Sequence, residues 1–322
     1  TTTDAAGNST TATDTEGYSV DTGAPSVVVD IVDAALNVAD KVSNVTFTFS
    51  EAPVGFTAAD LTVSGGTLSN LVQSSSDPKV WTATFTATDG FTGTASVTVN
   101  AGSYTDAAGN PGSAGSDTVA VDTAAPVASI TLDANITPDD VLNAAESKQD
   151  IAVTGTVGGD VKVGDTVTLT VNNKAYTGTV QAGNTFSINV AGSDLAADAD
   201  KVIDAKVTTT DAAGNSTTAT DTEGYKVDTT APSLVITSND GTLSPGETVT
   251  LTFTFSEAVT GFTASDVAIT GGTLNAATLA TSDGGKTWTA TMTQSGTAQP
   301  VVTVSNGSYT DLAGNAGTGN SL

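Results

Sequence analysis

Residues 1–25, TTTDAAGNSTTATDTEGYSVDTGAP, return at 208–232 as TTTDAAGNSTTATDTEGYKVDTTAP, differing only at Ser19/Lys226 and Gly23/Thr230. A second pair, FTFSEAPVGFTAADLTVSGGTL from Phe47 and FTFSEAVTGFTASDVAITGGTL from Phe253, lies 206 residues apart, and Trp81 and Trp288 lie 207 apart. Such a chain must fold as copies of one unit, because each copy has the same apolar pattern to bury. Within the long repeat, VDTGAP (Val20–Pro25), VDTAAP (Val121–Pro126) and VDTTAP (Val227–Pro232) recur at spacings of 101 and 106. The predicted layout is the C-terminal strands of a preceding domain in 1–22, then domains at 23–122, 123–228 (a second type) and 229–322. The last of these lacks the final strand that its twin has at Ser116–Asp122.

The texture is all-β. Val45–Phe49, Val97–Val99, Val167–Val171 and Val249–Phe255 alternate apolar residues with Thr, the period of a strand with one buried face. Gly, Asn, Asp and Pro arrive every 8 to 12 residues as turn signals. Seven short strands in about 100 residues is the pattern of an immunoglobulin-like sandwich. The predicted fold class is therefore tandem immunoglobulin-like β-sandwich domains arranged as a rod. Phe56–Asp60 and Asp194–Asp200 read as single helical turns at most.

Composition narrows the partners. The chain has 35 acidic residues against 9 basic ones, a formal charge of −26, and neither Cys nor His. That charge argues against nucleic acid and anionic membranes and favours cations. No apolar run is long enough to cross a bilayer as a helix. Aromatics are 5% of the residues, so each core is small, and without disulfides a metal is the obvious reinforcement. The first residues have no signal-peptide pattern, and the sequence reads as an internal fragment of something longer.

The six-residue turn TDAAGN occurs at Thr3–Asn8, Thr105–Asn110 and Thr210–Asn215, and as TDLAGN at Thr310–Asn315. In a sandwich topology this hairpin, the linker Asp of VDTxAP and the Glu after VTFTF all fall at the same end. Asp21, Glu51 and Asp106 are expected to converge there with Asn110, and Asp228, Glu257 and Asp311 with Asn315. The acidic loops at the opposite end (Asp30, Asp33 and Asp40; Asp139, Asp140 and Glu146) are expected to add carboxylates to the next junction. Carboxylates so gathered repel one another unless a cation joins them. With oxygen donors alone, the expected ion is Ca2+. Each residue also has a plainer reading: a capped turn, a solvated strand end, an acidic surface loop. Trp81 and Trp288 read as core anchors or as a sugar-stacking platform. Tyr18, Tyr104, Tyr225 and Tyr309 read as packed Tyr with the hydroxyl bonded at a corner. Asp240-Gly241 with Glu247 copies half of an EF-hand loop, but Ile236 and Ser238 at its ligand positions rule it out.

The motifs VDTTAP, TFSEAVTGFTASDV, GGTL and YTDLAGN resemble the tandem bacterial Ig-like repeats of giant non-fimbrial adhesins exported by type I secretion, SiiE-like or BapA-like. The resemblance implies an extracellular rod, secreted or at the bacterial cell surface, with Ca2+ at its domain junctions. It implies attachment to a host-cell or surface ligand by the full-length protein. The junction ligands it implies are Asp21, Asp122 and Asp228 from linkers, Asp106, Asp211 and Asp311 from turns, and Glu51 and Glu257 from the SEA motif. The second-type domain reads VTGTVGGD (Val153–Asp160) at that point, with Asp160 as a substitute. The expected activity is structural and adhesive, in a monomeric elongated particle without membrane insertion. A glycan-binding module using exposed Trp and calcium is the alternative. An enzyme is not expected, because the chain offers no Cys, His or Arg and repetition suits spacing better than catalysis.

Overall fold

A computed structural model describes residues 1–322. It is almost wholly β, and it divides into two compact units, one of Thr1–Ala125 with Asp211–Asn215, the other of Pro126–Thr210 with Ser216–Leu322.

In the first unit, Thr2–Thr3 and Ser9–Thr10 pair across the first TDAAGN turn, and residues 1–22 are exposed throughout. The sandwich follows. One sheet runs Val27–Ile31, Val42–Phe49, Val80–Ala87, Gly66–Gln73 in spatial order; the other runs Ala35–Asn37, Gly115–Asp122, Thr92–Val99, Leu61–Ser64. Alternation explains the core directly. Val45, Phe47 and Phe49 face inward from one sheet, and Ala95, Val97 and Val99 from the other, while the intervening Thr and Ser lie outside or half-covered. The short strand Ala35–Asn37 pairs in parallel with Ala120–Asp122, so the residues leading out to the linker are zipped to a loop from early in the same sandwich.

The second unit contains two cores. The first gathers Ile130, Val153, Leu169, Phe186, Ile203 and Tyr225 between a three-stranded sheet (Ala128–Leu132, Asp150–Gly159, Thr185–Ala191) and a four-stranded one (Lys174–Thr179, Thr166–Val171, Val202–Thr210, Ser216–Gly224). A parallel pair again closes it, Val141–Leu142 with Lys226–Val227. The second core gathers Leu234, Leu251, Phe253, Phe255, Met292 and Val302, with Val301–Val304 paired to Asn320–Ser321. Helix is confined to the six residues Gly192–Ala197 and three short 3-10 turns, two of them, Ala58–Asp60 and Ala264–Asp266, closed by Thr-Asp capping boxes.

The aromatic residues other than Tyr18 pack into the cores. Tyr104 packs against Phe49 and Phe56, and its hydroxyl donates to Ser113 O at 3.0 Å; Tyr309 does the same with Phe255, Phe262 and Thr318 O at 2.6 Å. Tyr225 is also buried, but bonds elsewhere, to Leu195 O and Asp198 Oδ2, and burial first, then the Asp198 charge, pushes its phenol well up. Tyr18 departs from the corner expectation: it is 87% exposed. Trp81 and Trp288 are half-buried and lie edge-on to Phe56 and Phe262, with ring centroids 5.3 and 5.6 Å apart. Both pack against the cores of their sandwiches, as the core-anchor reading expects.

Candidate metal centre

The Asp of each TD-x-AGN turn is fixed by its own turn. Asp106 Oδ1 accepts from Asn110 N at 2.8 Å and its Oδ2 from Asn110 Nδ2 at 2.7 Å. Asp311 repeats both bonds with Asn315, each at 2.8 Å. Gly109 and Gly314 sit at φ +90 and +87, the left-handed region that favours Gly and closes the turn. Both Asp are buried, with 2% exposure. The linker Asp makes a different local bond: Asp21 Oδ1 takes Gly23 N, and Asp228 Oδ1 takes Thr230 N, so each carboxylate is turned back on its own linker. The Glu follows a strand end locked by Ser, since Ser50 Oγ accepts from Ser26 N and Ser256 Oγ from Ser233 N, both at 3.0 Å.

These three local devices bring side chains from across a sandwich to one point. Carboxylate oxygens of Asp21, Glu51 and Asp106 lie within 4.8 Å of one another, and those of Asp228, Glu257 and Asp311 do likewise. The electrostatics are those of crowded like charges. Burial first, then the charges of Asp228 and Asp311, push the Glu257 carboxyl above its ordinary range. For Asp106, burial pushes upward, but the Asn110 side-chain and backbone bonds outweigh it and hold the carboxyl below its usual value. The donor set is all oxygen, which fits a hard divalent cation and gives zinc or copper none of the nitrogen or sulfur they favour.

The six expected far-loop contributors, Asp30, Asp33, Asp40, Asp139, Asp140 and Glu146, belong to neither group. Asp40 is exposed, and Asp139 Oδ1 is taken up by Thr137 Oγ1 and Val141 N. Asp139 is thereby held within its own loop, whereas Asp140 Oδ1 is buried without a hydrogen-bond partner. The middle set is also incomplete. Asp122 Oδ1 accepts from Thr92 Oγ1 and Ala124 N, and Asp211 is held by Asn215, whose side-chain bond comes first and keeps the Asp211 carboxyl low. The missing third ligand has a register explanation. Gly159 pairs with Ala128 as Phe49 pairs with Val27, and Asp160 Oδ2 accepts from Val127 N as Ser50 Oγ accepts from Ser26 N. Asp160 therefore occupies the Ser position, and the Glu position is Val161, which is buried. As a substitute for Glu51, Asp160 is one residue out of place.

The turn's Asn does more than join the carboxylates, and sequence reasoning missed it. Asn110, Asn215 and Asn315 each donate Nδ2 to the backbone oxygen of a linker Asp: Asp21, Asp122 and Asp228, at 3.1, 2.9 and 2.8 Å. Asn215 Oδ1 also accepts from Val38 N, and Asn315 Oδ1 from Ala144 N, both at 2.7 Å. The signal is present as a second repeated motif, Leu36-Asn37-Val38-Ala39-Asp40 and Leu142-Asn143-Ala144-Ala145-Glu146, 106 residues apart.

Comparison with known proteins agrees with this architecture. The family described as "Bacterial Ig-like domain" matches residues 21–123 and 228–322. The chain belongs to the bacterial Ig-like domain family. Among solved structures, a Ca2+-stabilised adhesin with which an Antarctic bacterium reaches out and binds ice is 30% identical, covering 93% of this chain and 72% of that one, with a TM-score of 0.52. A bacterial immunoglobulin-like domain of the M. primoryensis ice-binding adhesin is 48% identical over 32% of this chain and 98% of its own, with a TM-score of 0.29. A 1.5-MDa bacterial ice-binding adhesin is 26% identical, covering 92% and 96%, with a TM-score of 0.47. No curated protein gives a match.

Proposed function

We propose that this chain is a non-enzymatic, structural segment of a secreted or surface-attached bacterial adhesin of the giant type I-secreted kind, stiffened by Ca2+. On this reading, sandwich domains at 23–122, 123–228 and 229–322 follow the last strands of another domain in 1–22. Ca2+ is held by Asp21, Glu51 and Asp106 and by Asp228, Glu257 and Asp311, and the middle pair Asp122 and Asp211, lacking a third carboxylate, is not a full site. The full-length protein attaches to a host-cell or other surface ligand, and this segment spaces and orients it as an extracellular monomer.

The observation that carries the reading is the duplication of one acidic trio at equivalent places 205 to 207 residues apart, each assembled from a linker, a strand end and a turn. A chance surface cluster has no reason to be rebuilt from three separate segments. The 30%-identical Antarctic adhesin is itself Ca2+-stabilised, which supports the choice of ion. Extracellular calcium is in the range that modest loop sites use, with Kd of about 10⁻⁴–10⁻³ M.

Titration calorimetry on the full chain tests this. Two calcium equivalents are expected, and Asp21→Ala and Asp228→Ala should each remove one. Absence of binding at millimolar calcium, or stoichiometry unchanged in both variants, would overturn it.

A further inference from the structure

The side chain of Asn315 makes more bonds than a turn needs. Its Nδ2 spans Asp311 Oδ2 and Asp228 O, and its Oδ1 takes the N–H of Ala144. Three segments thus meet on one buried amide, 4% exposed: the turn, the linker that precedes it, and the loop at the far end of the sandwich built on Ile130 to Tyr225.

That loop is shaped to receive it. Asn143 Oδ1 accepts from Ala145 N and Glu146 N, and Glu146 Oε2 accepts from Asn143 N, which turns the chain so that the Ala144 N–H points outward. Leu142 is fully buried and its strand is paired in parallel with Lys226–Val227, so the loop is rigidly based and joined to the linker. The first unit repeats the arrangement: Asn37 Oδ1 accepts from Ala39 N and Asp40 N, Val38 N donates to Asn215 Oδ1, and Asn37 Nδ2 donates to Ala213 O at 2.8 Å. Every donor in both sets has its acceptor without an ion.

We propose that Asn315 of the TDLAGN turn and the Leu142–Glu146 loop form a metal-independent latch that sets the angle at which the two sandwiches of the second unit seat on one another. Calcium at the adjacent trio then adds stiffness to a geometry already chosen. The latch does not rest on calcium binding, and the two fail separately.

The chain also carries a natural counter-example. The loop Leu243-Ser244-Pro245-Gly246-Glu247 keeps the acid-to-backbone bond, Glu247 Oε2 with Ser244 N, but places Pro245 where Val38 and Ala144 supply their N–H. Proline has no such hydrogen. This loop is therefore unable to complete the latch, and it shows that proline is accommodated at that position.

The test measures the spread of angles rather than stability. The chain has no cysteine, so nitroxides placed at Ala175→Cys and Ala277→Cys, both exposed, report only the distance between the two sandwiches of the second unit. With chelator, the unmodified latch should give one narrow distance distribution by pulsed electron resonance. Asn315→Ala and, independently, Ala144→Pro should raise the undocked fraction roughly tenfold, which corresponds to about 1.4 kcal/mol and to the scale of one net hydrogen bond. Unchanged near-ultraviolet dichroism shows that the cores remain folded. A distribution in chelator that is already broad before either substitution overturns the proposal, as does a distribution that neither variant alters.

Discussion

At the scale of single residues, the carboxylates of the acidic trios differ in what surrounds them. Asn110 and Asn315 satisfy the turn Asp, whereas Glu257 is crowded by Asp228 and Asp311 and its carboxyl is pushed up, first by burial. A carboxyl raised in the folded state costs stability when ionised, so metal-free protein should gain stability as pH falls through the raised pKa of Glu257. Glu257→Gln should flatten that dependence and raise the melting temperature in chelator, while weakening calcium binding at this trio by about tenfold or more. Melting curves at pH 5 and 7.5, with and without calcium, check both signs. Asp283 acts in reverse: the backbone bond from Thr287, the strongest of several that it accepts, holds its carboxyl at about 2. Its contribution is present above the ordinary carboxylate range and is lost only as pH falls toward that value. Asp283→Asn should therefore remove part of the acid sensitivity between about pH 4 and 2.

At the scale of elements, the hairpin that carries the turn Asp is fixed to the core by a Tyr. The rings of Tyr104 and Tyr309 lie over Gly112 and Gly317, where an added Cβ would fall 2.2 and 2.1 Å from ring carbons. Nothing but glycine fits beneath the ring, because neither Tyr can retreat from its packing against Phe49 or Phe255. Gly317→Ala should destabilise the surrounding sandwich by about 2 kcal/mol, the usual scale of overpacking, and displace Asp311 along with the hairpin. Denaturant unfolding followed by Trp288 fluorescence measures the first effect and calcium titration the second. Much at this scale is legible in the sequence: strands such as Val45–Phe49 and Thr166–Val171 announce themselves by alternation. The parallel strands Ala35–Asn37 and Val141–Leu142 do not, being two or three residues long and defined by a partner more than 80 positions away. The Leu-Asn loop is visible as a repeat, but its purpose lies in a backbone N–H that no side-chain pattern reports.

At the scale of the whole molecule, a formal charge of −26 with nine lysines leaves the trios surrounded by further negative potential. Calcium binding to the folded form alone stabilises it by about 2.7 kcal/mol at a hundredfold excess over Kd. That gain should be uneven, since the trios draw their Glu and turn Asp from the sandwiches of Phe47 and Phe253, and the sandwich of Leu169 contributes no such set. Hydrogen exchange with and without calcium should show added protection in 27–121 and 234–304 and little in 130–207. Equal protection in all three would reveal a third full site and overturn the assignment of two.

The sequence alone determined the repeat length and the β texture, because repetition and alternation are local patterns that survive without coordinates, and it named the six clustered carboxylates only within a longer set of candidates. Tertiary structure alone decided that Val161 rather than Asp160 stands in the glutamate's place, that the far-loop acids stay outside the clusters, and that an asparagine amide ties three segments together. Those outcomes depend on strand register and on backbone hydrogens, and a one-residue shift in register reverses which side chain reaches the site.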